Sequence, residues 1–201
     1  MSDNELQSYD TFLVRQLIRP MVNVYTVTVG GDPKAPGPVV AFVKQKRMAF
    51  KEQIRVFADE QASRELFNIK ARRVIEIGGQ YDVIGADGQA IGVLQKKFKQ
   101  SLVRSTWNVL DAMDSDVMLA QEKSAAIAVL RRVKEVFPYT DMIPLPYHFS
   151  FLRNEREIGS LSRVMSFRDQ YVLDLSGDVD GAVDRRLAIA LAIALDALQG
   201  R

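Results

Sequence analysis

The chain of 201 residues contains no cysteine and a single histidine, His148. Disulfides, thiolate metal sites and cysteine nucleophiles are thereby excluded, and a histidine-based metal centre has nothing to build on. A reducing compartment suits such a composition. Long apolar runs are also missing. The longest, Leu187 to Leu195, is about half of the roughly 18–20 residues that a membrane-spanning helix needs. Met1 to Glu5 are polar and acidic where a secretory signal would be basic and then apolar, so no signal is expected. No Gly-x-Ser-x-Gly motif occurs, and Gly78-Gly79 is a turn without the lysine and serine of a phosphate loop.

An apolar content of 47% is ordinary for a globular chain and allows one core of useful size. The main pattern is a segment that recurs three times. Its clearest copy runs Tyr81-Asp82-Val83-Ile84, then Ala86-Asp87-Gly88-Gln89, then Ala90-Ile91-Gly92-Val93-Leu94. This reads as strand, tight turn and strand, since Asp-Gly favours the positive-φ geometry of hairpins. Basic residues follow, and then Thr106-Trp107-Asn108-Val109-Leu110-Asp111. A second copy pairs His148–Phe151 with Glu157–Leu161 across Asn154 and continues in Gln170-Tyr171-Val172-Leu173-Asp174. A looser copy pairs Tyr25–Val29 with Val39–Val43 across the Gly/Pro-rich stretch Gly30 to Pro38, and continues in Gln53–Phe57. A further hairpin is expected between Glu65–Lys70 and Arg73–Ile77. About ten to twelve short antiparallel strands result, enough to close a barrel or stack as a sandwich.

Two helices are expected. Lys123 to Phe137 is amphipathic, with Ala126, Val129, Leu130, Val133 and Val136 on one face, and reads as a helix covering a barrel end. Val183 to Leu198 alternates leucine or isoleucine with alanine, and Gly200 follows it. Alanine favours helix over strand, and at about 100° per residue this helix is apolar all round. Too short to span a bilayer, it must be buried, and a barrel of six- or seven-residue strands is long enough to enclose it.

The hairpins, their basic flanks and the apolar terminal helix resemble the LURP-one-related and phospholipid-scramblase families of the tubby C-terminal-like superfamily. The residues that carry the resemblance are Glu65-Leu66-Phe67, Tyr81 to Gly88, Ile91-Gly92, Trp107 to Asp111, Ile158-Gly159, and Asp184-Arg185-Arg186 with the helix to Leu198. It extends over roughly Val22 to Gln199. It implies a closed antiparallel barrel of about twelve strands around a central helix. It also implies basic surface residues that meet phosphoinositides, as in tubby-like domains, and membrane association, as in scramblases.

Charge is unevenly spread. Val40 to Leu110 holds thirteen Lys and Arg against seven Asp and Glu, whereas Asp111 to Arg201 holds eleven against fourteen. Lys44, Lys46, Arg47 and Lys51 follow the first hairpin, and Lys96, Lys97, Lys99 and Arg104 follow the second; only Arg163 and Arg168 stand at that place in the third. Lysines that flank strands most often blunt edges and keep a protein soluble. A shared rim of them would instead attract phosphate head groups. No patch interleaves exposed aromatics with basic residues, so no nucleic acid partner is expected. Asp174, Asp178, Asp180 and Asp184 precede the last helix, where scramblases are thought to bind calcium. Only two of them alternate and no EF-hand glutamate follows, so they read as capping residues and no metal is assigned.

The sequence therefore predicts a mainly β fold: a closed antiparallel barrel of about twelve strands around a buried C-terminal helix, with one amphipathic covering helix. Residues 1–20 are expected as a partly mobile segment and 21–201 as a single domain. The expected function is non-enzymatic: a cytoplasmic module, peripheral at the membrane, that binds anionic lipid head groups through Lys44, Lys46, Arg47, Lys96, Lys97, Lys99 and Arg104, with no cofactor. The alternative is a soluble protein-interaction scaffold. His148 is expected to be structural.

Overall fold

The structure is a computed structural model that describes residues 3–19, 22–46, 53–72, 79–97, 105–123, 148–164 and 169–198. After a single helical turn, α1 (Asp3–Leu6), twelve strands follow in chain order. They are β1 (Thr11–Arg19), β2 (Val22–Val29), β3 (Val39–Lys46), β4 (Gln53–Phe57), β5 (Glu65–Ala71) and β6 (Gln80–Gly85). Then come β7 (Ala90–Lys96), β8 (Thr106–Asp111), β9 (Asp116–Glu122), β10 (His148–Arg153), β11 (Arg156–Arg163) and β12 (Gln170–Asp174), before helix α2 (Arg185–Leu198). Each strand pairs antiparallel with the next, and β1 also pairs with β12, which closes the barrel.

Closure creates an interior that must be filled. One side of each strand supplies apolar side chains such as Phe12, Val27, Phe67, Leu94, Phe149 and Leu173, all fully buried, and α2 supplies the rest. Every residue of α2 from Leu187 to Ala194 is buried, alanines included. The helix begins two residues later than the sequence predicts. Asp184 is its N-cap, its carboxylate accepting the Arg186 N–H at 2.8 Å and its carbonyl the N–H groups of Leu187 and Ala188.

The three copies in the sequence are three hairpins, β2–β3, β6–β7 and β10–β11, each bulged at one equivalent place. Register slips by one residue after Val27↔Ala41, after Val83↔Gly92 and after Phe151↔Gly159. The extra residues, Val40, Ile91 and Ile158, are all buried. A small residue precedes the slip on the partner strand for a steric reason. A Cβ on Gly92 would lie 2.1 Å from the Leu110 carbonyl oxygen, and one on Gly159 would lie 2.2 Å from that of Asp174. Ala41 is tolerated where, among the described residues, β3 and β4 share a single registered pair, Phe42↔Phe57. The turns differ. Gly88 takes φ +81° after Asp87, whereas Asn154 and Glu155 are both left-handed, the geometry of a two-residue type I′ turn.

Two expectations need correction. The barrel does not begin at residue 21: Thr11–Arg19 is β1, part of the wall, and Leu6 is buried ahead of it. The sequence hides β1 because its alternation is broken. Gln16 lies on the interior side with Phe12 and Val14, where its Nε2 donates to the Tyr25 hydroxyl at 2.9 Å, while Leu13 takes the outer side. Likewise β5 pairs with β4 and β6. The strand expected at Arg73–Ile77 lies outside the described residues, as does the covering helix beyond Lys123.

β1 also completes the repeat. β5 and β9 follow the first and second three-strand units, and β1 takes that place beside β12 in the third. The barrel is thus three four-strand units, the last of which draws its fourth strand from the opposite end of the chain.

Candidate functional site

In an antiparallel meander all odd-numbered strands run the same way, so β3, β7 and β11 finish at one end of the barrel. Lys44 and Lys46 stand there on β3, Lys96 and Lys97 at the end of β7, and Arg163 at the end of β11. These strands are four apart in a ring of twelve, so each group lies a third of the circumference from the next. With strands about 4.8 Å apart, β3 and β7 are separated by about 19 Å along the wall. The expected basic groups therefore share a rim without touching. Between them β5 adds Lys70 and, just beyond it, Arg72; Lys123 follows β9, and all three are exposed. Neither Lys70 nor Arg72 is singled out in the sequence by the repeat, because Lys70-Ala71-Arg72-Arg73 follows none of the three recurring hairpins. Of the expected residues, Arg47, Lys99 and Arg104 lie outside the described residues.

The lysines face different ways. Lys44 is exposed on the outer side, next to the fully buried Val43. Lys96 shares the interior side with Gly92 and Leu94 and stands at the mouth, its ammonium 5.9 Å from the centre of the Trp107 ring. Such a cation–π contact contributes about 0.5–2 kcal/mol and holds the charge at the opening. Tyr81 stacks at a tilt on the same indole, with ring centres 6.0 Å apart. Burial raises the Tyr81 pKa, so its hydroxyl stays neutral. Carboxylates on this rim are answered by arginines: Arg72 Nε meets Asp82 at 2.6 Å and Arg163 pairs with Asp169.

The carboxyl end of α2 points toward this same rim, because Leu187, near its start, packs by Gly92 close to the opposite end. There the interior becomes polar. Asp196 is buried and accepts the Tyr25 hydroxyl at 2.8 Å and the Tyr171 hydroxyl at 2.5 Å. Burial, and then the adjacent Asp196 carboxylate, push the Tyr25 pKa far up, which keeps Tyr25 a donor. These bonds pin the helix to β2 and β12. The only signal in the sequence is one carboxylate at the end of an otherwise apolar run.

His148 opens β10 at this end. Its Nδ1 lies 2.7 Å from the Ser162 hydroxyl across the β10–β11 pair. Burial, and then the positive charge of Lys123, lower its pKa against a smaller opposing pull from Glu157. A histidine held neutral by the fold must be neutral for full stability. Its contribution is present above its ordinary value of 6.5 and is lost as pH falls through the depressed folded value. Melting temperature is expected to drop between pH 7.5 and 5, and His148→Gln is expected to flatten that drop. A wild-type curve already flat over this range would contradict the assignment.

The opposite end carries the other sign. Its six loops, at 30–38, 58–64, 86–89, 112–115, 154–155 and 175–184, hold nine acidic residues and only two basic ones, Lys34 and Arg64. The acids that precede α2 are held by arginines. Asp178 accepts from Arg185 at 2.6 Å, from Arg153 at 3.1 Å and from the Val183 N–H, and Asp180 pairs with Arg153. Burial works against the Asp184 carboxylate, yet hydrogen bonds and charge from Arg186 keep its pKa below the ordinary value. Among the described residues no group of three or more acids or histidines is placed to hold a metal ion. No helix among them is long and apolar enough to cross a membrane.

Comparison with curated proteins and with solved structures finds no match. The family profile described as LURP-one-related matches residues 39–196, from the start of β3 to Asp196 inside the barrel, and the chain belongs to the LURP-one-related family.

Proposed function

We propose that this protein is a non-enzymatic module whose basic rim engages anionic lipid head groups at a membrane surface. One observation supports the reading above others: Lys44, Lys70, Arg72, Lys96, Lys97 and Lys123 gather at one barrel end while the loops of the other end are acidic. Such a charge distribution orients the barrel with its rim toward a negative surface and repels its other end. At about 1 kcal/mol per basic residue near an anionic leaflet, four to six charges give reversible attachment. The contact is electrostatic, so salt opposes it, the Debye length shrinking from about 10 Å at 0.1 M to about 3 Å at 1 M.

Co-sedimentation with phosphatidylcholine vesicles containing rising fractions of phosphatidylserine or a phosphoinositide tests the reading. The pelleted fraction is expected to rise with anionic lipid and to fall in high salt. Lys44→Glu, Lys70→Glu and Lys123→Glu combined should abolish pelleting with the fold intact, since all three are exposed and exposed substitutions cost little stability. Folded wild-type protein that pellets no better with anionic than with neutral vesicles at low salt would refute the proposal.

A further inference from the structure

We infer that the acidic end of the barrel is a docking surface for a basic segment of a protein partner that carries an apolar anchor residue. The surface surrounds a cavity of about 280 Å³ where the start of α2 meets β7 and the β8–β9 turn. Its walls are mostly apolar, among them Ile91, Met113, Val117 and Leu187. That volume lies just below the roughly 300–1,000 Å³ of sites for drug-sized ligands, so it suits one or two side chains. Met113 leaves its own side chain at the entrance, 83% exposed. Val179, in the loop that leads to α2, is 79% exposed. These are the exposed large hydrophobic residues among those described, and both belong to this end of the barrel. A pliable thioether at the mouth of an apolar recess is what an anchor side chain can pack against.

Charge complementarity selects the occupant. The three segments around the cavity, 86–91, 111–117 and 182–187, contain five aspartates and two arginines. Both arginines are engaged: Arg185 with Asp178 and Asp10, Arg186 with Asp184. Asp87, Asp114 and Asp116 are exposed on these segments, within three residues of the lining residues Ala90, Met113 and Val117. An anionic or purely aliphatic segment would desolvate these carboxylates without bringing a cation to them, whereas lysine or arginine beside the anchor would answer their charge. The basic rim lies at the far end, so the two surfaces can be occupied together.

The test uses the full chain labelled with ¹³C at the methionine methyls and two synthetic peptides. One is Lys-Leu-Lys-Lys-Leu-Lys; the other replaces each lysine by glutamate. The basic peptide is expected to shift the Met113 methyl resonance saturably, and the acidic peptide to leave it unmoved. Asp87→Asn with Asp114→Asn removes two charges while keeping the turns, since asparagine accepts the same N–H at position 87 and tolerates the φ of 59° at position 114. The pair is expected to weaken binding by about tenfold, at about threefold for each partly screened ion pair. Met113→Ser should remove the apolar part of the affinity, read by fluorescence anisotropy of a labelled basic peptide. An unmoved Met113 resonance, equal response to both peptides, or unchanged affinity in the paired variant would overturn the inference. So would a Met113 shift that grows with protein concentration alone, which would assign the surface to a second copy of the chain.

Discussion

Ile193→Asp is expected to abolish the cooperative fold, not merely to weaken it. Ile193 is fully buried within the barrel. With Leu187, Ile189, Leu191 and Leu195 it forms the set of large side chains that α2 places against the strands, and all five are buried. At about 1.5–3 kcal/mol each, the five supply about 10 kcal/mol. A domain of this kind has a net stability of only about 5–15 kcal/mol. An aspartate at 193 removes one of the five contributions and leaves a carboxylate without a designed partner in an apolar interior. It would also stand three residues before Asp196, on nearly the same helix face, and add like-charge repulsion. Removing α2 altogether would be worse, because the interior sides of twelve strands would lose what they pack on. Ile193→Val is the control, expected to cost about 0.5–1.5 kcal/mol with two-state unfolding retained. Circular dichroism and thermal unfolding distinguish these outcomes. A sharp transition in Ile193→Asp within a few degrees of wild type would mean that the barrel does not depend on its central helix.

The fold could be read from the sequence because its hairpins repeat. Ile91-Gly92 and Ile158-Gly159 recur since each pair combines the extra residue of a bulge with a glycine that lets a neighbouring carbonyl approach to near contact. The apolar helix is legible for an equally direct reason, as a helix without a polar face has nowhere to go but the interior. β1 is not legible, because its inward Gln16 is polar and the hydroxyl that explains it, on Tyr25, becomes its neighbour only when β1 pairs with β2. Asp196 is hidden in the same way: its partners Tyr25 and Tyr171 lie 171 and 25 residues away. The basic stretches can be read as stretches, but not the inclusion of Lys70 and Arg72 among them. That depends on the direction of β5, hence on every strand pairing in turn. The acidic end is least legible of all, since its carboxylates are spread over six loops, one to three in each, and converge only when the barrel closes.

Arg185→Met is expected to cost the domain about 3 kcal/mol or more, the range for breaking a buried ion pair on one side. Every nitrogen of the Arg185 guanidinium is engaged. Nε donates to the Tyr9 carbonyl at 2.9 Å, one terminal nitrogen to Asp178 at 2.6 Å and the Val183 carbonyl at 3.0 Å, and the other to Asp10 at 2.7 Å. The side chain thus ties three parts of the chain together: the segment before β1, the loop after β12 and the start of α2. Methionine matches the length of the stem and supplies none of the donors. It would leave Asp178, whose side chain is wholly buried, with Arg153 at 3.1 Å as its remaining cation. That surviving contact keeps the expected loss toward the lower end of the range. Arg185→Lys should rescue little, because one ammonium cannot reach acceptors spread around a planar fork. The Arg185→Met, Asp178→Asn double variant should be less destabilised than the sum of the single changes, since removing both members leaves no buried carboxylate unanswered. Denaturant unfolding of the four proteins gives the coupling, and hydrogen exchange locates it. Faster exchange should appear first at the Leu175 and Gly30 amides, which bond to Asp10 and Thr11 at the entry to β1. Strict additivity, with exchange at those amides unchanged, would mean that Arg185 is a local cap on α2 and not the tie that holds the barrel's closing strand in place.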